Sequence, residues 1–192
     1  MDTLNQMIAR APLADAEPAL PLLREGDPEA LGKVYDAHHV AVRTFARRLI
    51  GDEAAEDLVH DTFLSLPKAL TRWSGQGALR SFIIGVAINH ARHYVRARAR
   101  RHRALERLSA QPPPTSDSPE QSSEQRQLAE LLLRALDSLS FDHRTTFVLC
   151  EVEERSSPEV AQILGIPENT VRTRLHHARR ALRAALEREG VR

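Results

Sequence analysis

Residues 156–180 read SSPEVAQILGIPENTVRTRLHHARR, and this stretch predicts a helix-turn-helix. Ala161, Gly165 and Val171 stand at offsets of four and ten. They supply a small residue where two helices cross, a glycine at the turn and an apolar residue that packs the second helix on the first. The spacing therefore predicts one helix over 157–164 and another over 168–188.

The two predicted helices differ in what they offer. Ser156, with Glu159 three residues later, is typical of the capping box that begins a helix. The second helix directs polar side chains outward, and these can reach base edges and phosphates in a major groove. From the pattern alone, they are Asn169, Arg172, Thr173, His176 and Arg180. A basic scaffold helix without DNA contacts is the alternative.

Charge is strongly segregated along the chain, although the net charge is only +1. Residues 72–108 hold nine basic and one acidic side chain, and residues 170–192 hold seven and two. The intervening blocks are acidic, with seven basic and twelve acidic residues in 1–71, and four and eleven in 109–169. Two basic blocks predict two separate contacts with a polyanion such as nucleic acid.

Composition excludes several classes of protein. The 192 residues contain one cysteine, Cys150, so a disulfide framework and a zinc site with several thiolates are excluded. The longest apolar run, Phe82–Ile88, is far shorter than the about 20 residues of a membrane span, and no secretory signal is evident. We expect a cytoplasmic protein without membrane insertion. No catalytic motif stands out. Of the nine histidines, His90 and His93 are three residues apart, but they fall on different faces of the predicted helix and no cysteine or carboxylate repeat accompanies them. We therefore predict no enzyme activity, no metal and no cofactor.

The apolar periodicity predicts an all-α chain of two small helical domains. Residues 1–26 are expected to form a flexible leader and residues 27–108 the first domain. A Pro-, Ser- and Gln-rich linker at 109–125 precedes the second domain, residues 126–192. In the first domain, Asp27-Pro28 predicts a helix start, and Pro67 is expected to end the second helix.

Two stretches resemble the sigma-70 family of transcription initiation factors. Residues 139–182 resemble its region four, with LGIP at 164–167 and TV at 170–171. Residues 51–64, GDEAAEDLVHDTFL, are very close to a signature of its region two. Both regions in order, with a short linker and no region three, resemble the extracytoplasmic-function (ECF) group.

The resemblance implies an alternative sigma factor that binds core RNA polymerase and directs it to promoter DNA. It implies an anti-sigma factor as regulator, and a nucleoid location when the chain is bound to polymerase. The polymerase-binding residues would be Glu56, Asp57, His60, Asp61 and Phe63. The −10 element would meet Trp73, Arg80, Asn89, Arg92, His93 and Arg96. The −35 element would meet Asn169, Thr170, Arg172, Thr173, Arg174, His176, His177, Arg179 and Arg180.

The chain departs from the family pattern at several positions. Ile84, Gly85 and Ile88 replace residues that are usually arginine or aromatic in the −10 helix, His93 replaces an aspartate and Pro67 a tryptophan. Glu154-Arg155 replaces the glycine and leucine of a turn in region four. These departures affect how bases are read, not the general role.

Two other functions remain open from the residues. One is a helix-turn-helix regulator that acts without core polymerase. The other is an interaction adaptor, such as an anti-sigma decoy, that does not read DNA. The two basic blocks disfavour the adaptor, and residues 1–108 lack the alternating strands of a phospho-acceptor domain.

Overall fold

The computed structural model describes residues 20–75, 77–108, 131 and 134–188. Within these ranges the chain is helical and contains no strand, so the predicted all-α fold is confirmed. The predicted linker and residues 1–19 of the predicted leader lie outside them. The helices are α1 (Leu20–Glu25), α2 (Pro28–Ile50), α3 (Ala55–Leu70), α4 (Leu79–Leu108), α5 (Phe141–Phe147), α6 (Ser157–Leu164) and α7 (Glu168–Arg188).

The prediction of a flexible leader reaching residue 26 is wrong for its last residues. Leu20–Glu25 form α1, whose Leu23 is 0% exposed and lies in the core beside α2 and α3. A six-residue helix is too short to be stable alone. Burial of Leu23, not local propensity, therefore holds α1 in place.

The next two helices form a hairpin across Gly51. Asp27 begins α2 by accepting a hydrogen bond from the amide of Ala30 at 2.8 Å, as its sequence predicts. The prediction that Pro67 ends the following helix is wrong, because α3 continues to Leu70 with Pro67 inside it. A proline is costly within a helix, and here α3 lies packed between α1 and α2.

The long basic helix α4 has an apolar first half. Its first half carries the buried residues Leu79, Ile83, Ile84, Ala87, Ile88 and Ala91. The chain divides into two compact units after Ala91, so α4 contributes to both. The predicted domain limits of 27–108 and 126–192 remain a prediction.

The second unit contains the helix-turn-helix. The chain continues beyond α5 through a π-helical turn, Val148–Val152, and then enters α6 and α7. Gly165 lies between α6 and α7 at φ 64°, ψ 38°, and a Cβ there would meet no atom within 4 Å. Glycine is therefore favoured at this turn by its left-handed backbone, not by lack of space. Val160 and Val171, both 0% exposed, pack α6 and α7 together as predicted.

The loop before α6 combines a predicted feature with an unexpected one. The amide and hydroxyl of Ser156 donate to Oε2 of Glu159 at 2.9 and 2.7 Å, which confirms the capping box. These two hydrogen bonds lower the pKa of Glu159. Glu154, at the position of the family's turn glycine, adopts φ 53°. Glu154 therefore adopts a left-handed backbone conformation although it is not a glycine.

Candidate DNA-binding and polymerase-binding surfaces

The second helix of the helix-turn-helix, α7, has one buried face and one basic, exposed face. Val171, Ala178, Leu182 and Ala185 are buried. Among the nine predicted −35 residues, Thr170 and Arg174 are half-buried. The others are exposed, namely Asn169, Arg172, Thr173, His176, His177, Arg179 and Arg180. The exposed set offers cationic and polar donors, the groups that contact phosphates and base edges.

Arg174 occupies a different position from its predicted neighbours. Its side chain is only 23% exposed, and its Nη2 donates to Oδ2 of Asp142 on α5 at 3.0 Å. This contact joins α7 to the helix that supports it. Arg174 is therefore tied to α5, and its contact with the −35 element stays a prediction.

Two exposed arginines of α7 are held by glutamates. Arg172 contacts Glu168 one turn earlier on α7 at 2.5 Å, and Arg179 contacts Glu151 of the π-helical turn at 2.5 Å. Exposed ion pairs of this kind are worth about 0–1 kcal/mol. The guanidinium groups can therefore exchange their glutamates for phosphates or bases at little cost.

Histidine rings extend the same surface toward α5. The ring of His177 lies 5.8 Å from that of His176 and 5.9 Å from that of His143, measured between centroids. His143 was not singled out by sequence because it lies outside the helix-turn-helix motif. Its place in the first turns of α5, the helix that contacts Arg174, could not be read from spacing.

An acidic face runs along α3 in the first unit. Glu56, Asp57, His60 and Asp61 are exposed along it, and Glu56 forms an ion pair with Arg43 of α2. The apolar residues Leu58, Val59, Leu66 and Leu70 are buried on the opposite side. An exposed acidic face repels DNA and suits a contact with a basic protein surface.

Phe63, which the resemblance assigns to polymerase binding, is a core residue. It is 4% exposed, and its ring packs edge-on against Tyr35 with centroids 4.9 Å apart. Leu64 is instead 62% exposed and follows Asp57 by seven residues and Asp61 by three, which places it on the acidic face. The helical spacing from the two aspartates could have placed Leu64 on this face. The sequence pattern was instead interpreted as acidic residues opposite a buried apolar stripe.

The predicted −10 residues divide between the surface and partly buried positions. Asn89, His93 and Arg96 are exposed on α4. Trp73, Arg80 and Arg92 are half-buried, and the Trp73 ring stacks on Phe82 with centroids 5.3 Å apart. Ile84 and Ile88, where the family usually has arginine or aromatic residues, are 5% and 2% exposed and belong to the core.

Two histidines of the first unit, His38 and His90, are half-buried. Burial and then the charge of Arg80 lower the pKa of His38. His90 Nε2 lies 2.8 Å from the hydroxyl oxygen of Ser65. In the described part of the chain, no group of three or more histidine, cysteine or acidic residues could hold a metal ion.

Comparison with protein families identifies both units. The family description "Sigma-70 region 2" matches residues 34–101, and "Sigma-70, region 4" matches residues 129–182. Together the two matches cover more than half of the chain. The chain belongs to the sigma-70 family. Within the ranges described, none of this sigma factor's helices is long and apolar enough to cross a membrane.

Relatives of this sigma factor belong to the ECF group. It is 25% identical over 179 residues to the ECF RNA polymerase sigma-E factor of Salmonella typhimurium, with 83% of this chain and 88% of the relative covered. It is 33% identical over 148 residues to the ECF RNA polymerase sigma factor SigE of Mycolicibacterium smegmatis, with 76% and 57% covered. The protein is therefore an ECF sigma factor, a member of a family of transcription initiation factors.

The fold agrees with that assignment. The sigma factor RpoE of Bartonella quintana, solved in complex with the anti-sigma factor NepR, matches with a TM-score of 0.63 and 22% identity. The match covers 81% of this chain and 96% of that one. At this identity the comparison concerns the fold alone.

Proposed function

We propose that this ECF sigma factor binds core RNA polymerase through the acidic face of α3 and contacts promoter DNA through α4 and α7. The observation that carries the proposal is the separation of the two kinds of surface. The exposed stripe of α3 is acidic, whereas those of α4 and α7 are basic. An acidic stripe fits a protein partner, and basic helices fit the phosphate backbone.

The two basic helices would contact different promoter elements. The helix-turn-helix would place the first turns of α7 in the major groove of the −35 element, with Asn169, Arg172 and Thr173 near the bases. Arg179 and Arg180 lie further along α7 and would meet phosphates. The Trp73 region and the exposed residues of α4 would hold the unpaired strand of the −10 element, by stacking and by phosphate contacts. In this function the chain is a binding subunit, not an enzyme, and works with polymerase on the nucleoid in the cytoplasm.

An anti-sigma factor is the regulator that we propose. Its support is the related fold of the Bartonella quintana protein, which is described in complex with such a factor. The first unit also exposes large apolar side chains: Tyr35 and Val40 on α2, and Leu64 on α3. A protein partner that covered these side chains would remove their apolar surface from water.

The decisive experiment reverses charge on α3. The double variant Asp57→Lys/Asp61→Lys should abolish binding to core polymerase in pull-down and in transcription, because it opposes the partner's basic surface while leaving the core of the unit intact. The matched control is Glu25→Lys/Asp36→Lys, which makes the same change of charge at exposed positions of α1 and α2. Circular dichroism checks the fold of both.

Each outcome separates one function from another. Retained core binding by the α3 variant, or equal loss by the control, would contradict the proposed docking surface. Specific binding of promoter duplex by the chain without polymerase would favour the regulator that acts alone. Binding to core without any effect on promoter choice would favour the adaptor.

A further inference from the structure

The segment that follows α3, residues 71–75, is here named the Trp73 loop. It begins with short turns in which the amides of Arg72 and Trp73 donate to the carbonyls of Ala69 and Leu70 at 3.1 and 3.2 Å. Further on, Gly75 has φ 79°, a conformation that glycine adopts without strain. Glycine has a wide choice of backbone conformations, so the position of this loop depends on what holds its beginning.

Arg24 of α1 holds the beginning of this loop. Its Nε donates to the carbonyl of Leu70 at 3.2 Å, and its Nη2 donates to the carbonyl of Trp73 at 3.0 Å. A planar guanidinium can present two such donors in fixed geometry. The first bond caps the last turn of α3, where a cation is favourable, and the second reaches into the loop itself.

The part of α1 that carries Arg24 is fixed to the core of the first unit. Leu23, the preceding residue, is completely buried. The amide of Asp27 bonds the carbonyl of Leu22 at 2.9 Å, and the Asp27 side chain caps α2. The guanidinium is therefore tied to the core of the first unit, although Arg24 lies at the surface and far from the loop in sequence.

Trp73 is consequently held at two points. Arg24 holds its carbonyl from α1, and Phe82 of α4 stacks on its ring, with planes inclined by 28°. The loop thus starts from a defined position beside the helix proposed to meet the unpaired strand. Without the arginine, the main chain would lose its link to α1, and the ring contact alone would hold Trp73, which leaves the indole more accessible to solvent.

We infer that Arg24 is a positioning residue for recognition of the −10 element, acting through the Trp73 loop without touching DNA. The inference rests on the proposed function, in which this loop and α4 contact the unpaired strand. It assigns a role in promoter reading to α1, a helix that lies outside the part of the chain matched by the region 2 family.

The contact itself can be followed in the free chain, because Trp73 is its only tryptophan. Quenching of tryptophan fluorescence by acrylamide should increase in Arg24→Ala. Quenching should increase less in Arg24→Lys, which keeps the positive charge but not the planar pair of donors. Glu25→Ala, at the next and exposed position of α1, is the matched control and should quench like the wild type. Unchanged quenching in Arg24→Ala would overturn the inference.

The effect of Arg24 on DNA recognition is measured as binding of single-stranded DNA by holoenzyme assembled on core polymerase. The DNA is a labelled oligonucleotide pool, randomised over the −10 positions of the non-template strand. Loss of a hydrogen-bonded charged group should weaken binding of the preferred strand about tenfold in Arg24→Ala, with core affinity and the thermal midpoint close to wild type. Arg24→Lys should recover part of the loss.

The outcomes distinguish this inference from the function on which it rests. If wild-type holoenzyme selects no strand sequence, the proposed function fails. If wild type selects and Arg24→Ala selects equally tightly, the proposed function stands and the positioning role is overturned. A variant that loses core affinity in the same proportion as strand affinity would show that Arg24 only stabilises the fold, which also overturns it.

Discussion

Arg172 and Arg180 lie eight residues apart on α7, about 12 Å along the helix axis. Both side chains are exposed. A recognition helix enters the major groove with its N-terminal turns, so Arg172 should meet base edges while Arg180 passes the phosphate backbone. Replacing each with alanine in separate variants tests which end of α7 enters the groove.

The two substitutions should affect DNA binding differently, because one removes a base contact and the other a phosphate contact. A bidentate base contact contributes about 1–3 kcal/mol of discrimination, which is about 5- to 150-fold in preference between −35 sequences. Arg172 must first leave Glu168, but both side chains are exposed, at 65% and 38%. An exposed helical pair is worth about 0.3–0.5 kcal/mol, so it cannot cancel a base contact. Arg180→Ala should weaken all sequences alike and reduce the slope of log affinity against log salt by about 0.9.

The assay is transcription initiation by holoenzyme on a library of −35 variants at several salt concentrations. Arg188→Ala, at the last residue of α7, is the control that removes the same charge about 24 Å from Arg172. The order of preferred −35 sequences should change in Arg172→Ala only. A reordered preference in Arg180→Ala, with the wild-type order kept in Arg172→Ala, would refute the docking of α7 even though the protein is a sigma factor.

Two further predictions concern stability and pH. Because the pKa of His38 is lowered in the folded chain, this imidazole binds a proton at a higher pH in the unfolded chain than in the folded one. The free energy of unfolding should thus decrease as pH falls below about 6.5 and level off below the folded pKa. Urea titrations of wild type and His38→Gln should show that this part of the slope disappears in the variant. Ser156→Ala should cost about 1 kcal/mol near neutral pH. The variant loses the hydroxyl bond, the largest cause of the lowered pKa of Glu159, and keeps the amide bond. The difference from wild type should therefore shrink as pH falls below 4.5, and an undiminished difference in acid would contradict this.

The features that the sequence predicted well are local. The helix-turn-helix depends on residues within ten positions of one another, so Gly165 and Val171 could be assigned from spacing. The acidic face of α3 follows from helical register in the same way. Local propensities and periodicity are enough where a helix is long and its two faces differ.

The features that it missed depend on distant contacts. Helix α1 exists because Leu23 reaches the core, and no local signal in a short proline-rich segment shows that. Phe63 was assigned to polymerase binding by resemblance, and its packing against Tyr35 of another helix could not be read from the sequence. The Arg174–Asp142 pair joins residues 32 positions apart. Such partners become visible only when the helices are packed.

The turn at Glu154 has a consequence for how this sequence could diverge from its relatives. A non-glycine residue in the left-handed region costs about 1–2 kcal/mol, yet the conformation persists. The amides on either side explain why, since Glu153 bonds the carbonyl of Val148 at 2.9 Å and Arg155 that of Leu149 at 3.0 Å. The position of the family's turn glycine can thus hold another residue, because the backbone hydrogen bonds on both sides of it fix the turn.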